Sequence, residues 1–355
     1  MNPADPAATL LPLLQEHGRN LHSFMVLEPG LSTWTADPPD SAVAYVARGG
    51  YWVAAGGPLC SADRSPAVAR AFAAAAREQG CRTTFFGVSQ AFVDRLDERE
   101  FDALHIGLTP VWDPRGWPDV VRRADKLRNR IKRAGKLGVT VGCVSAADVA
   151  EGSPLRTAMA AIVDDWTASH ALPPMGFMVT LELFQHAAVR RYFVATAKGG
   201  VVGFAVCVPV YGRKGWLMED MMVDPQAPAG TSEALVDAAM GHLAAEGAGV
   251  VSLGMCALAG LEKATPNTTA RHPVLSSLLR LSARWMGWLY NFEGLYRFRD
   301  KMKPTSWEPV YLVTSGPTSW LTLRAVLMAF AQGWVPRFAL RVLGRLVRRR
   351  LRRSS

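Results

Sequence analysis

Glu219 and Asp220 stand together near the end of an apolar run that begins at Trp216, and Glu233 follows a short loop rich in Pro and Ala that ends at Gly230. A carboxylate so placed can orient a hydroxyl, take its proton or hold an amino group. The plainer reading is a charge pair at a strand end and, for Glu233, an acid favoured by the dipole in a helix first turn. Lys301 and Lys303 are flanked by Phe298 and Trp307. An ammonium there can stabilise an oxyanion or a phosphate, or be an ordinary surface lysine. None of the seven histidines lies in a nucleophile and base pattern, and no GxSxG occurs, which removes the activated-serine layouts. The cysteines Cys60, Cys81, Cys143, Cys207 and Cys256 show no CxxC spacing and no His nearby, so neither a metal centre nor a disulfide framework is expected.

These side chains need elements to position them. Tyr192–Thr196, Val201–Val210 and Trp216–Val223 read as strands, Thr231–Glu246 as a helix and Val250–Leu253 as a further strand. The same order appears earlier, with β-rich runs at Phe24–Leu27, Ala42–Ala47 and Tyr51–Ala55, a helix over Ser65–Gln79 and a strand at Thr83–Val88. The expected fold is therefore α/β (α+β), with two tandem acetyltransferase-like halves on mixed sheets, residues 1–145 and 146–316. Further helices are expected over 6–18, 147–169 and 181–190. Between the halves, Val121–Gly138 carries many Lys and Arg against one Asp. It reads as a single helix whose basic side, including Arg128, Arg130, Lys132 and Arg133, either meets phosphates or is simply solvated.

In acetyltransferase-like domains the loop at Asp224–Gly230 holds the coenzyme A pyrophosphate on backbone N–H groups. Here Gly230 is the one glycine, and Pro225 and Pro228 remove two donors. Coenzyme A is not expected, and no other cofactor or metal is indicated.

Length and 49% hydrophobic content suit two cores of ordinary size. The net charge of +10 is local: residues 317–355 hold nine Arg and no Lys, Asp or Glu, so the body is nearly neutral. The N-terminal segment lacks a positive region before its apolar run, which argues against a signal peptide.

As an ordered set, several motifs resemble the catalytic domain of lysyl- and alanyl-phosphatidylglycerol synthases. They are Asp220-Met-Met, Ala227-Pro-Ala-Gly-Thr-Ser-Glu233, Leu253-Gly254-Met255, Asn291-Phe292-x-Gly294-Leu295, Lys301-x-x-Pro304 and Trp307-x-Pro309-x-Tyr311. Gly56-Gly57-Pro58, the Arg128–Arg133 stretch and Met175-Gly176-Phe177 extend the likeness upstream, to about residues 24–313. The resemblance implies transfer of an amino acid from aminoacyl-tRNA to a lipid hydroxyl, without coenzyme A. It implies that Asp220, Lys301 and Glu233 are catalytic, that Gly254, Asn291, Trp307 and Tyr311 shape the substrate site, and that the basic helix meets tRNA. Three positions depart from the family pattern: Val223 stands in place of an Arg, Gly57 of an Asp and Ala257 of a Pro. No multispanning segment precedes the matched region in this sequence, so a synthase without a flippase domain is expected.

In the tail, Arg337, Arg341 and Arg345 recur beside Phe338, Val342 and Leu346. That spacing predicts a basic amphipathic helix lying on an anionic membrane surface, with residues 317–355 as a docking tail on the inner face of the cell membrane. The competing arrangement packs Trp320–Val335 on the body and leaves only the Arg-rich end exposed. Two functional alternatives stay open: an N-acyltransferase of the same fold with another donor, and an inactive lipid- or RNA-binding module.

Overall fold

A computed structural model gives the architecture, and residues 6–169, 176–259 and 292–332 are described. The strands are β1 Ser32–Thr35, β2 Ala42–Arg48, β3 Tyr51–Ala55, β4 Arg82–Ser89, β5 Phe101–Trp112, β6 Thr140–Val144, β7 Arg191–Ala197, β8 Gly200–Val210, β9 Gly215–Val223, β10 Val250–Ser252, β11 Cys256–Ala257 and β12 Ser306–Ser315. The helices are α1 Pro6–His17, α2 Ser65–Glu78, α3 Gln90–Val93, α4 Trp117–Arg123, α5 Asp125–Lys136, α6 Pro154–Ser169, α7 Thr231–Ala245, α8 Phe292–Lys301 and α9 Trp320–Phe330.

All twelve strands join one mixed sheet, ordered β1-β2-β3-β4-β12-β5-β10-β9-β8-β7-β6, with β11 beside β5. Two pairs are parallel, β3 with β4 and β9 with β10, and a helix, α2 or α7, links the members of each. That repeats the strand, helix, strand order legible in the sequence. The centre is an exchange: β5 follows β4 in the chain yet pairs with β10, while β12 returns from the far half to pair with β4. Each half is thus completed by a strand from the other part of the chain.

The sheet is covered on both faces. On one, α2 buries Val68, Ala69 and Phe72 against Phe85 and Val313, and α7 buries Leu235, Val236 and Ala239 against Met218 and Val251. On the other, α1, a 3-10 turn at Ser23–Leu27 and α9 pack on Val53, Phe86, Leu312 and Leu217, and α6 packs on Phe204, Val206 and Met222. The helix spacing of these apolar positions explains the burial.

Four expectations need correction. Phe24–Leu27 is the 3-10 turn rather than a strand, because its consecutive apolar residues are all buried and none alternates outward. The basic stretch is two helices, broken where Ala124 takes φ −99° and ψ 83°; the Arg128 guanidinium donates to the Arg122 carbonyl across the break and pairs with Asp125 within the second helix. The 147–169 helix starts only at Pro154, a residue suited to the first helical turn. Residues 181–190 are not a helix beyond a turn at Ala187–Val189; His186 is left-handed and the Tyr192 hydroxyl donates to the Leu183 carbonyl at 2.8 Å.

Residues 320–330 form the core-packed helix of the two tail arrangements, with Ala325, Val326 and Ala329 buried on the body. The segment from Arg337 lies outside the described residues, as does Asn291.

Candidate functional site

A bulge in β9 decides where the acids point. Met218 pairs with Cys207 and Asp220 with Val206, so Glu219 has no residue of its own opposite it. One extra residue flips the alternation. Met218 faces α7 with Cys207, whereas Asp220 faces the other side with Val206 and Met222. Adjacent acids that regular alternation would send to opposite faces are thereby brought to one side, and they divide the work. Glu219 forms a buried ion pair with Arg190, whose Nε also donates to the Gln185 carbonyl at 2.7 Å. Among the described residues, Asp220 keeps a buried Oδ2 with no hydrogen-bond partner.

Glu28, at the end of the 3-10 turn, joins them and accepts from the Thr180 hydroxyl. Burial, with the negative charge of Glu219 adding and Arg190 opposing, raises the Asp220 carboxyl to about 8. Burial also raises Glu28 to about 8, the Thr180 hydrogen bond opposing and the charges of Glu219 and Asp220 adding. Three carboxyls with one arginine, itself matched to Glu219, leave a proton-holding centre poised near neutral pH.

The segment that ends at Glu28 begins beside a small open cleft lined by Arg19–His22, Gly87–Ser89, Thr109, Arg213 and Glu308–Val310. Arg213 is held by Glu308 through two 2.8 Å hydrogen bonds. Asn20 Nδ2 donates to the carbonyl of Gly87 at 2.8 Å; Gly87 is the extra residue of a second bulge and has φ +79°. Thr109 is buried with its hydroxyl unpartnered. Burial, with the Arg299 charge adding, lowers the His22 imidazole to about 4, so it is neutral at pH 7. Arg299 reaches this end from α8 and holds the carbonyls of Leu253 and Met255. Gly254 sits between those carbonyls with φ +79°, a conformation that favours glycine.

The expected catalytic residues do not all converge. Lys301 Nζ donates to Glu233 Oε1 at 2.7 Å, over the Phe298 ring, and Glu233 is almost fully buried. This pair ties α8 to the first turn of α7, on the face opposite Asp220. Trp307 stacks on Tyr296 of α8, with ring centroids 4.8 Å apart. Tyr311 is buried on the α2 face beside His105, its hydroxyl bonded to Gln90. Of the basic residues, Arg128 is occupied at the helix break, whereas Arg130, Lys132 and Arg133 are exposed. Gly57 lies against Phe92 and Val88, and Val223 packs with the α7 core; both departures from the family pattern sit in apolar surroundings.

Sequence reading missed Glu28, Arg190, His22 and Arg299. The available signal for two of them was His22 and Glu28 bracketing the uninterrupted run Ser23–Leu27. Arg190 carried none, because its partner lies 29 positions away.

A family model described as phosphatidylglycerol lysyltransferase, C-terminal, matches residues 11–314. An uncharacterized protein of Corynebacterium glutamicum is 24% identical over 310 residues, 84% of this chain; the chain spans 37% of that relative's length. Two solved structures share the fold at 19% identity. The C-terminal domain assigned to a lysylphosphatidylglycerol synthetase of Agrobacterium fabrum gives a TM-score of 0.76, covering 93% of this chain and 98% of its own. L-PGS from Bacillus licheniformis gives 0.73, covering 93% and 97%.

Proposed function

The chain belongs to the phosphatidylglycerol lysyltransferase C-terminal family, and on that premise we propose that it moves an amino acid from aminoacyl-tRNA to the hydroxyl of a polar lipid such as phosphatidylglycerol. The observation that carries the reading is the buried carboxyl of Asp220 at the β9 bulge, whose Oδ2 has no hydrogen-bond partner among the described residues. The donor ester is already activated, so the protein supplies position and proton transfer. The lipid oxygen bonds to the ester carbonyl carbon and its proton passes to the Asp220 carboxylate. The bond from that carbon to the tRNA ribose oxygen breaks, and the ribose oxygen leaves with the proton returned from the Asp220 carboxyl. The cleft suits the polar end of the acceptor: Arg19 offers positive charge to a phosphate, Arg213 is matched by Glu308, and Ser89 and Thr109 are part of the wall. Lys301 with Glu233 holds α8, and through it Arg299, in place.

A donor other than coenzyme A is supported at the α7 N-terminus. The amides of Gln226, Ala227 and Thr231 are already bonded within the loop, and the Arg130 carbonyl of α5 packs against Gly230. Those contacts occupy part of the loop that a pyrophosphate would need. The exposed side of α5 is the proposed tRNA contact, and residues 317–355 the proposed contact with the cytoplasmic membrane surface. Among the described residues, no helix is long and apolar enough to cross a membrane.

The test is incubation of the purified protein with labelled aminoacyl-tRNAs and phosphatidylglycerol vesicles. Label should enter the organic phase and disappear after ribonuclease treatment of the donor. Vesicle or tRNA binding without transfer would favour the binding-module reading, which the Val223 and Gly57 departures motivate; transfer from another acyl donor alone would favour the N-acyltransferase.

A further inference from the structure

Helix α9 is apolar on both sides. Its inner side buries Thr322, Ala325, Val326 and Ala329. Its outer side presents Trp320, Arg324 and Leu327, one stripe at helical spacing, with Leu321 beside it. Trp320 is 65% exposed, Leu321 41% and Leu327 48%. Among the described residues, five large apolar side chains are exposed, and these three fall within one short helix. A fourth, Val179, belongs to the segment whose Gly176 N–H donates to the Phe330 carbonyl at the end of α9, at 3.0 Å. A surface helix ordinarily turns polar residues outward, so this stripe calls for an occupant.

We propose that the outer face of α9 inserts into the interfacial layer of an anionic bilayer, so that a folded element of the body, rather than the Arg-rich end alone, docks the protein. The inference rests on the lipid-acceptor reading for its biological sense, but its chemistry is on the helix. Trp beside Leu with a cation in the same stripe is the composition that sits at a headgroup boundary, where Arg324 meets lipid phosphate while its stem stays in the apolar layer. Charge selects the bilayer over a second copy of the chain. Helix α9 holds Arg324 and no acid, so a symmetric contact through it would set this cation against its own copy, whereas an anionic surface neutralises it. The inner side of α9 is linked to the back of the cleft wall. Phe330 packs on Phe86 and Phe177, and Met178 lies against Gly87 in the cleft wall.

The test uses the full chain and sucrose-loaded vesicles of phosphatidylglycerol mixed with phosphatidylcholine, with no tRNA or amino acid present, so a failed transfer assay does not affect it. A purely electrostatic tail would release at about 0.5 M salt, where screening is short-ranged. The wild type should stay bound in part, and Trp320→Gln/Leu321→Gln/Leu327→Gln should lower partitioning at least roughly tenfold and make the remainder fully salt-sensitive. Leu137→Gln, which removes an exposed apolar residue elsewhere, should change nothing. Independently of how the triple variant folds, brominated acyl chains should quench wild-type fluorescence more than that of Trp320→Phe. Equal partitioning of the triple variant and wild type, or equal quenching with and without Trp320, overturns the proposal. So does a wild-type dimer that the triple variant converts to monomer while vesicle binding is unchanged.

Discussion

Asp220 and Glu233 are both acids at the edge of the same β-α-β unit, yet the sheet places them on opposite faces and gives them opposite surroundings. Glu233 is buried but answered, by Lys301 at 2.7 Å. Asp220 is buried with its Oδ2 unanswered among the described residues, and Arg190 on its side is taken by Glu219. A matched buried pair holds elements together, while an unmatched carboxyl stores reactivity at the expense of stability. The difference comes from one extra residue in β9: with regular alternation Asp220 would share Met218's face, beneath α7.

The largest expected effect falls on the matched pair of the Asp220 face. Arg190→Met strands Glu219 in the core and should cost about 3–5 kcal/mol in denaturant unfolding. Adding Glu219→Gln should restore most of it, and no recovery would mean that Arg190 acts through packing on Phe24 instead.

Next comes the pH response of the unmatched carboxyls. A carboxyl whose folded pKa is raised binds its proton more tightly in the native state, so stability declines as pH rises from about 4 to about 8. Glu28→Gln removes one such group and should gain on the order of 1 kcal/mol at pH 9, and little at pH 4. The ascending limb of transfer rate, expected near pH 8, should move to lower pH because a neighbouring negative charge is gone. An unmoved limb would separate Glu28 from the reacting centre.

A smaller and purely electrostatic effect is expected on α5. Replacing Arg130, Lys132 and Arg133 by Gln should weaken tRNA binding and flatten its dependence on salt, by roughly 0.7–0.9 in the log–log slope for each phosphate no longer neutralised. Arg128→Gln should change the slope less and melting temperature more, since that guanidinium spans the helix break. An unchanged slope in the triple variant would make this side of α5 a solvated face.

Much of this arrangement was legible in the sequence because it is local. Alternation and helical spacing placed β2, β3, β4, β7, β8, β9, α2 and α7 within a residue or two. What was not legible is non-local. β5 and β12, the strands that exchange between halves, carry Pro110 and Pro309 inside them, and proline reads as a strand breaker. The family resemblance implied Asp220, Lys301 and Glu233 as one catalytic set. A bulge leaves no mark in composition, so the side each acid faces could not be read there. Glu28 and Arg190 are joined to Asp220 only by the folded chain.

The central claim is that the unmatched acid reacts and the matched one anchors, and a paired comparison of Asp220→Asn with Lys301→Ala tests it most directly. Transfer from aminoacyl-tRNA and thermal midpoint at pH 9 are measured on both. The account predicts that Asp220→Asn loses transfer by about 10²-fold or more while its midpoint matches or exceeds wild type. It predicts that Lys301→Ala, which leaves Glu233 buried and unpaired, loses about 1–2 kcal/mol of stability yet keeps transfer within roughly tenfold, well short of the loss of a proton-transfer group. Transfer near the wild-type level in Asp220→Asn, or its loss in a fully stable Lys301→Ala, would contradict the account.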